Sequence, residues 1–242
     1  MTEPIFVSSP VDVLRGAEAL VKLAQTNDAD FYIPGDGVVR VTPERWEQAQ
    51  QYEHDTWLKH NLGSVSDRND DHFAGFNGYA ALPLEQGRVI ELGAGAFTNV
   101  RHILSRDGSE WENVTLLDPL IEEYRQSHPN CVYRAGGAID HWNPVLVAKP
   151  IEAYKTKTKY DTVVMVNTLD HCYDSELVFG WINSHLKSGG YLVFGENARD
   201  VDPLRHFDIG HPLAVTQSVL DSFLSGYEEL YRNGGYFIGV KR

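Results

Sequence analysis

Val89-Ile90-Glu91-Leu92-Gly93-Ala94-Gly95-Ala96-Phe97-Thr98, with Asp118 at the end of the next apolar run, is the stretch that decides the fold. Val89 to Leu92 suits a short buried strand, and Gly93 and Gly95 permit a tight turn whose backbone can approach a ligand closely. A helix is expected from about Ala96, with Val100, Ile103 and Leu104 on one face and its free amides turned toward the same crevice. Trp111 to Leu117 supplies a second strand, and Asp118 at its tip can accept hydrogen bonds from both hydroxyls of a ribose. Glycine turn and acidic strand end together predict a nucleoside-cofactor pocket.

Dinucleotide dehydrogenases share this strand, turn, helix and strand, but their G-x-G-x-x-G fingerprint calls for glycine where this chain has Thr98. Glu91-Leu92-Gly93-Ala94-Gly95 instead resembles the first motif of class I S-adenosylmethionine (SAM)-dependent methyltransferases. Leu116-Leu117-Asp118-Pro119 is similar to that family's ribose-binding strand end, and Tyr160 to His171 to its fourth-strand motif. Leu186-Lys187-Ser188-Gly189-Gly190 looks like its L-x-x-G-G turn into the fifth strand. The resemblance covers residues 86 to 242 and implies a Rossmann-like α/β fold: a doubly wound, seven-stranded, mostly parallel sheet closed by a C-terminal antiparallel hairpin. Residues 1–85 are expected to form a mainly helical extension that closes over the cofactor and carries substrate contacts.

From Arg88 onward, strand and helix patterns alternate, which implies a parallel sheet covered on both faces. Strands are predicted near 88–92, 112–118, 131–134, 160–167 and 190–196, and helices near 97–106, 119–127, 145–154 and 175–187. Tyr227 to Tyr231 and Tyr236 to Val240, joined through Asn233-Gly234-Gly235, read as a hairpin. Upstream, helices are expected over Val11 to Ala24 and from Thr42-Pro43 to about His60, with a small hairpin over Phe31 to Val41. Phe73, Phe76 and Tyr79, just before the first core strand, serve either substrate contact or a packing seam.

The resemblance assigns Glu91, Gly93 and Gly95 to the amino acid part of the cofactor, Asp118 to its ribose, and Ala138 and Ile139 to the adenine. Asn167 at the end of the fourth motif strand faces the crevice, or is a turn residue bonded to local backbone. Leu169-Asp170-His171-Cys172-Tyr173-Asp174 resembles the L-E-H-x-x-D segment of small-molecule methyltransferases, with Asp170 in place of Glu. His171 is accordingly the first candidate for proton transfer, its other reading being a loop-fixing or capping residue. The polar stretch from Gly195 to Thr216 should rim the acceptor pocket, with His206 or His211 as alternative bases and Arg199 and Arg205 as anion binders. Asp170, Glu196 and Asp208 can converge on a divalent ion, but no tight spacing demands it and no metal site is expected.

The chain has 242 residues, 42% of them hydrophobic, enough to bury a sizeable core. With 34 acidic against 21 basic side chains its formal charge is −13, a field that repels DNA and RNA over most of the surface. No apolar run approaches the ~20 residues of a membrane helix, and Met1 to Pro10 lacks the pattern of a secretory signal. Cys131 and Cys172 have neither disulfide-framework nor zinc spacing. The expectation is therefore a cytoplasmic SAM-dependent methyltransferase that acts on a small-molecule hydroxyl, a sugar or secondary metabolite, with neither nucleic acid nor membrane as partner and with room for a homodimer. Its rivals are a protein or nucleic-acid methyltransferase, a non-catalytic SAM-binding subunit and a nicotinamide-dependent oxidoreductase.

Overall fold

The computed structural model describes residues 37–59, 67–106, 113–201 and 208–242. Its centre is a seven-stranded sheet built from β2 (Val89–Leu92), β3 (Val114–Leu117), β4 (Val145–Val147), β5 (Tyr160–Val166), β6 (Leu186–Gly195), β8 (Tyr227–Asn233) and β9 (Tyr236–Lys241), in the order β4-β3-β2-β5-β6-β9-β8. Strands β4 through β6 of that order run parallel, while β9 enters antiparallel to β6 and β8 antiparallel to β9. The terminal hairpin is thus as expected, with Gly234 taking a positive φ of 57° at its turn.

Alternate residues of the central strands feed two cores, one on each face. Ile90, Leu92, Val163, Met165, Leu192 and Phe194 join Val178 and Ile182 of α5 (Ser175–His185) and Leu220 and Phe223 of α6 (Gln217–Leu224). Val89, Leu116, Val164 and Val193 join Val100 and Ile103 of α3 (Val100–Leu104) and Ile121 and Tyr124 of α4 (Ile121–Ser127). Burial on both faces explains why these strands are continuously apolar rather than alternating.

Two expectations around the third strand position are corrected. Residues 131–134 are buried at Cys131, Val132 and Tyr133 yet form no strand; the Val132 amide donates to Ala96 O at 3.0 Å, against the glycine turn. The ladder place beside β3 goes to Val145–Val147, which falls inside the predicted 145–154 helix, and only a 3-10 turn, Ile151–Ala153, remains helical there. Pro150 accounts for this: it lacks a donor and disfavours helical backbone just before it, while Val145 and Val147 fit a pleated ladder.

Before the sheet, α1 (Pro43–His54) opens on Thr42, whose side chain accepts from the Arg45 amide at 3.3 Å, with Pro43 at the first position as predicted. A π-helical turn, Asp55–Lys59, continues it. The strand half at Gly37–Val38, β1, pairs with β7 (Ala214–Val215) from the far end of the chain. Residues 31–36 of the expected hairpin, the 11–24 helix, and Arg205 and His206 lie outside the described residues, while Arg40 bridges to Asp174. After α2 (Asn69–Gly75), Phe76 and Tyr79 are fully buried and stacked at 4.9 Å, with the Tyr236 ring edge-on to Phe76 at 4.9 Å. They form a packing seam in the same core as β2 and α3, whereas Phe73 is 39% exposed. No helix among the described residues is long and apolar enough to cross a membrane.

Truncating Phe76 leaves a void under both the hairpin and α2. The Phe76→Ala variant is expected to lose about 3–5 kcal/mol of unfolding free energy in urea titration; a loss below about 1 kcal/mol would show that the seam is not structural.

Candidate active site

At the end of β2 the chain turns through two glycines with different reasons for being glycine. Gly93 has φ 72°, and a Cβ there would collide with the Thr168 side chain. Gly95 has φ 54°, and a Cβ there would meet nothing within 4 Å, so its bare face borders open space. Thr98, at the place of the third fingerprint glycine, also lies in the left-handed region at φ 44°. That conformation strains a β-branched residue by about 1–3 kcal/mol, and the Thr98 hydroxyl is held there by donation to Glu91 Oε2.

Glu91 is completely buried. Besides Thr98, its carboxylate accepts from the Asn99 amide at 2.9 Å, Asn99 Nδ2 at 3.1 Å and the Val100 amide at 3.2 Å. Four donors fill the roughly four acceptor positions of a carboxylate. Burial pushes its pKa up to about 7 while these donors oppose the shift. Its oxygens thereby hold the turn and the start of α3.

Asp118 stands at the tip of β3, 9% exposed. It accepts from the Gly95 amide at 3.0 Å and the Leu120 amide at 2.8 Å, which leaves about two acceptor positions toward the crevice. Burial pushes its pKa up to about 6, against the pull of those two amides; His171 lowers it and Glu53 raises it, so both lie within electrostatic reach. Tyr133, not foreseen from the sequence, donates its hydroxyl to Gly95 O at 2.7 Å and fixes the other side of the turn. Ile139 is buried, with its amide on Val132 O at 2.9 Å, while Ala138 is exposed. Asp140 closes its own turn on the Gly136 amide at 2.9 Å. Asn167 is exposed at the tip of β5, with φ 54° and its amide on Gly195 O at 2.7 Å.

Beyond that tip, the short 3-10 turn Leu169–His171 carries the predicted proton-transfer candidate. His171 Nδ1 lies 3.0 Å from Gly210 O, which only accepts, so the neutral ring keeps its lone pair on Nε2. The His211 ring is 4.6 Å away, and its Nδ1 lies 2.9 Å from Asp208 Oδ1. Asp208 holds the His211 imidazole above the ordinary histidine range. Despite burial, Asp208 itself is drawn down to about 2 by His211 and Arg199. Buried Asp170 pairs through Oδ2 with Arg199 Nη2 at 2.7 Å. Glu196, at the end of β6, accepts from the amides of Leu169 and Asn197 at 3.0 and 2.9 Å, and burial together with Asp170 pushes it up to about 8. His171, His211, Asp170, Arg199, Glu196 and Asp208, spread along two loops, are thus brought together.

The roof of this site was missed residue by residue. Helix α1 reaches it through Trp46 Nε1, 3.1 Å from His171 O, and through Arg45, which donates to Ile209 O at 3.2 Å and to Asp208 O. Two turns beyond, Glu53 Oε1 lies 3.8 Å from His171 Nδ1, and Glu53 Oε2 accepts from Trp57 Nε1 at 2.8 Å. Trp57 packs against Phe97 and His128, with ring centroids 6.4 and 6.1 Å away. The i, i+4 spacing of Glu53 and Trp57 was the available signal.

A methyltransferase-domain family model matches residues 66–228, more than half of the chain. A search of curated proteins returns no match. Similar solved structures include the 1,6-didemethyltoxoflavin-N1-methyltransferase of Burkholderia thailandensis with its substrate and S-adenosylhomocysteine, at TM-score 0.52 and 14% identity over 87% of this chain and 97% of that one. The glycopeptide N-methyltransferase MtfA with S-adenosylhomocysteine aligns at TM-score 0.50 and 17% identity, over 74% of this chain and 91% of its own. At such identities the likeness is one of fold. Combined with the family match, the sheet order and the glycine turn beside Asp118, it establishes that the chain belongs to the class I SAM-dependent methyltransferase family.

Proposed function

We propose that this enzyme methylates a hydroxyl of a small cytoplasmic metabolite, a sugar or a secondary metabolite, using SAM. The observation that carries this reading is the meeting of His171 with His211 and Asp170, His171 lying within electrostatic reach of the crevice acid Asp118. A hydroxyl, unlike a free amine, must lose its proton to become a nucleophile, and these side chains are the groups through which it would be lost. The formal charge of −13 supports a small acceptor over a nucleic acid.

The cofactor fits the residues present. Gly95 leaves open the space that a Cβ would fill, and Asp118 keeps acceptor positions for the ribose hydroxyls. Ala138 and Ile139 are proposed beside the adenine and Asn167 beside the crevice, with Glu91 acting only through the shape of the turn. When bound, SAM supplies an activated methyl group and a neutral sulfide leaving group. The protein's part is to align the acceptor oxygen, exclude water under Glu53 and Trp57, and remove a proton at the histidine cluster.

By calorimetry with SAM, Asp118→Ala is expected to bind about 1.5–3 kcal/mol more weakly; unchanged affinity would remove Asp118 from the site. Gly95→Ala should fold normally apart from strain of about 1 kcal/mol and yet lose SAM binding. Gly93→Ala should instead lose stability because of the Thr168 collision.

Because the ribose needs the ionised carboxylate, wild-type affinity for SAM should fall as pH drops through about 6, where Asp118 takes up its proton. Asp118→Asn should be flat over that range. His171→Ala is expected to lower turnover roughly 10²–10⁴-fold with SAM binding intact; full turnover would exclude it from the proton's path.

A further inference from the structure

We propose that Asp170, His171 and His211 form a binding site for a divalent transition-metal ion with positions open to the acceptor. One donor atom from each of the three lies within 4.8 Å of the others. Among the described residues Asp170 Oδ1 is buried without a hydrogen-bond partner, in a side chain only 7% exposed, and stands 3.7 Å from His171 Nε2. In a tetrahedral or octahedral shell with bonds near 2.0–2.1 Å, donor atoms sit about 3 Å apart, so modest side-chain rotations close this set around an ion.

What marks the cluster as more than an acidic patch is how the far end of each side chain is held. His171 Nδ1 faces Gly210 O, His211 Nδ1 faces Asp208, and Asp170 Oδ2 is paired with Arg199. Each neutral imidazole therefore keeps its lone pair on Nε2, and the free carboxylate oxygen also has only lone pairs to offer. Supporting oxygens behind each histidine and a fixed carboxylate are the outer arrangement that orients metal ligands. Two imidazoles and one carboxylate suit zinc, manganese, iron, cobalt or nickel rather than calcium. His171 and His211 are 21% and 34% exposed at their side chains, which leaves the remaining coordination positions reachable.

The site's use in catalysis rests on the proposed hydroxyl acceptor; its binding of metal does not. With an ion bound, His171 and His211 would serve as its ligands instead of as proton acceptors, and a hydroxyl coordinated there would be acidified and release its proton to solvent. Its electron pair then forms the new carbon–oxygen bond as the methyl–sulfur bond breaks, with sulfur keeping that bond's electrons.

The experiment uses tag-free, chelator-treated full-length protein titrated with Zn2+ or Co2+, with metal read by elemental analysis, cobalt absorption and thermal shift. About one ion per chain should bind, with affinity at least about tenfold lower in Asp170→Asn and His211→Gln, an energy step of about 1.4 kcal/mol. Circular dichroism and SAM calorimetry on the same variants check the fold, and the more exposed His211 serves if the Asp170 variant does not fold. Absence of uptake, or uptake unchanged in His211→Gln, overturns the site. Uptake with methyl transfer indifferent to chelation overturns its catalytic use. Uptake and SAM binding without O-methylation of any hydroxylated acceptor leaves the metal site standing and defeats the hydroxyl reading instead.

Discussion

A single buried carboxylate organises the cofactor end of this protein. Glu91 is fully buried, and among the described residues that burial is compensated by donors from Thr98, Asn99 and Val100. Those bonds fix the backbone between β2 and α3, keep Thr98 in a left-handed conformation that threonine avoids, and so set where Gly95 presents its bare face. The Gly95 amide in turn meets Asp118 and its carbonyl meets Tyr133, so the turn is gripped from β3 and from the 131–139 segment. Burial raises the pKa values of both Glu91 and Asp118.

The acceptor end is organised differently, by loops that bind one another. Glu196 at the end of β6 takes the amides that open the turn after β5, Arg199 bridges toward Asp170 and Asp208, and Gly210 receives His171. Helix α1 and the π-helical turn that continues it then lie across both ends, from Arg45 and Trp46 at the histidines to Trp57 beside Phe97. Because α1 donates to backbone carbonyls of the site's own loops, the position of the roof and the position of the histidines are mechanically linked.

The legible part of the fold was the part governed by local rules. Continuous apolar runs such as Thr162 to Val166, the paired glycines, the Thr42-Pro43 helix start and the Asn-Gly-Gly turn each carry a signal within a few residues, and each is found as read. The third parallel strand was not legible, because 131–134 and 145–147 are both short and apolar and the choice between them is made by which one β3 can reach. The pairing of Gly37–Val38 with Ala214–Val215 was beyond local reading as well, since neither piece names its partner.

For the site, the sequence by itself determined the cofactor chemistry: a strand, a glycine turn and an acid at the next strand end must meet, because parallel neighbours bring their carboxyl ends together. It also named His171, His211, Asp170, Arg199 and Asp208 as candidates. Only the tertiary structure decided which of them meet. Glu91 is wholly buried and its oxygens meet four internal donors, an arrangement no window of sequence shows. Glu53, Trp57 and Tyr133 joined the site because α1 and the 131–139 segment fold against it. Distances between residues on separate loops depend on how the loops pack, and packing is a property of the whole chain rather than of any window within it.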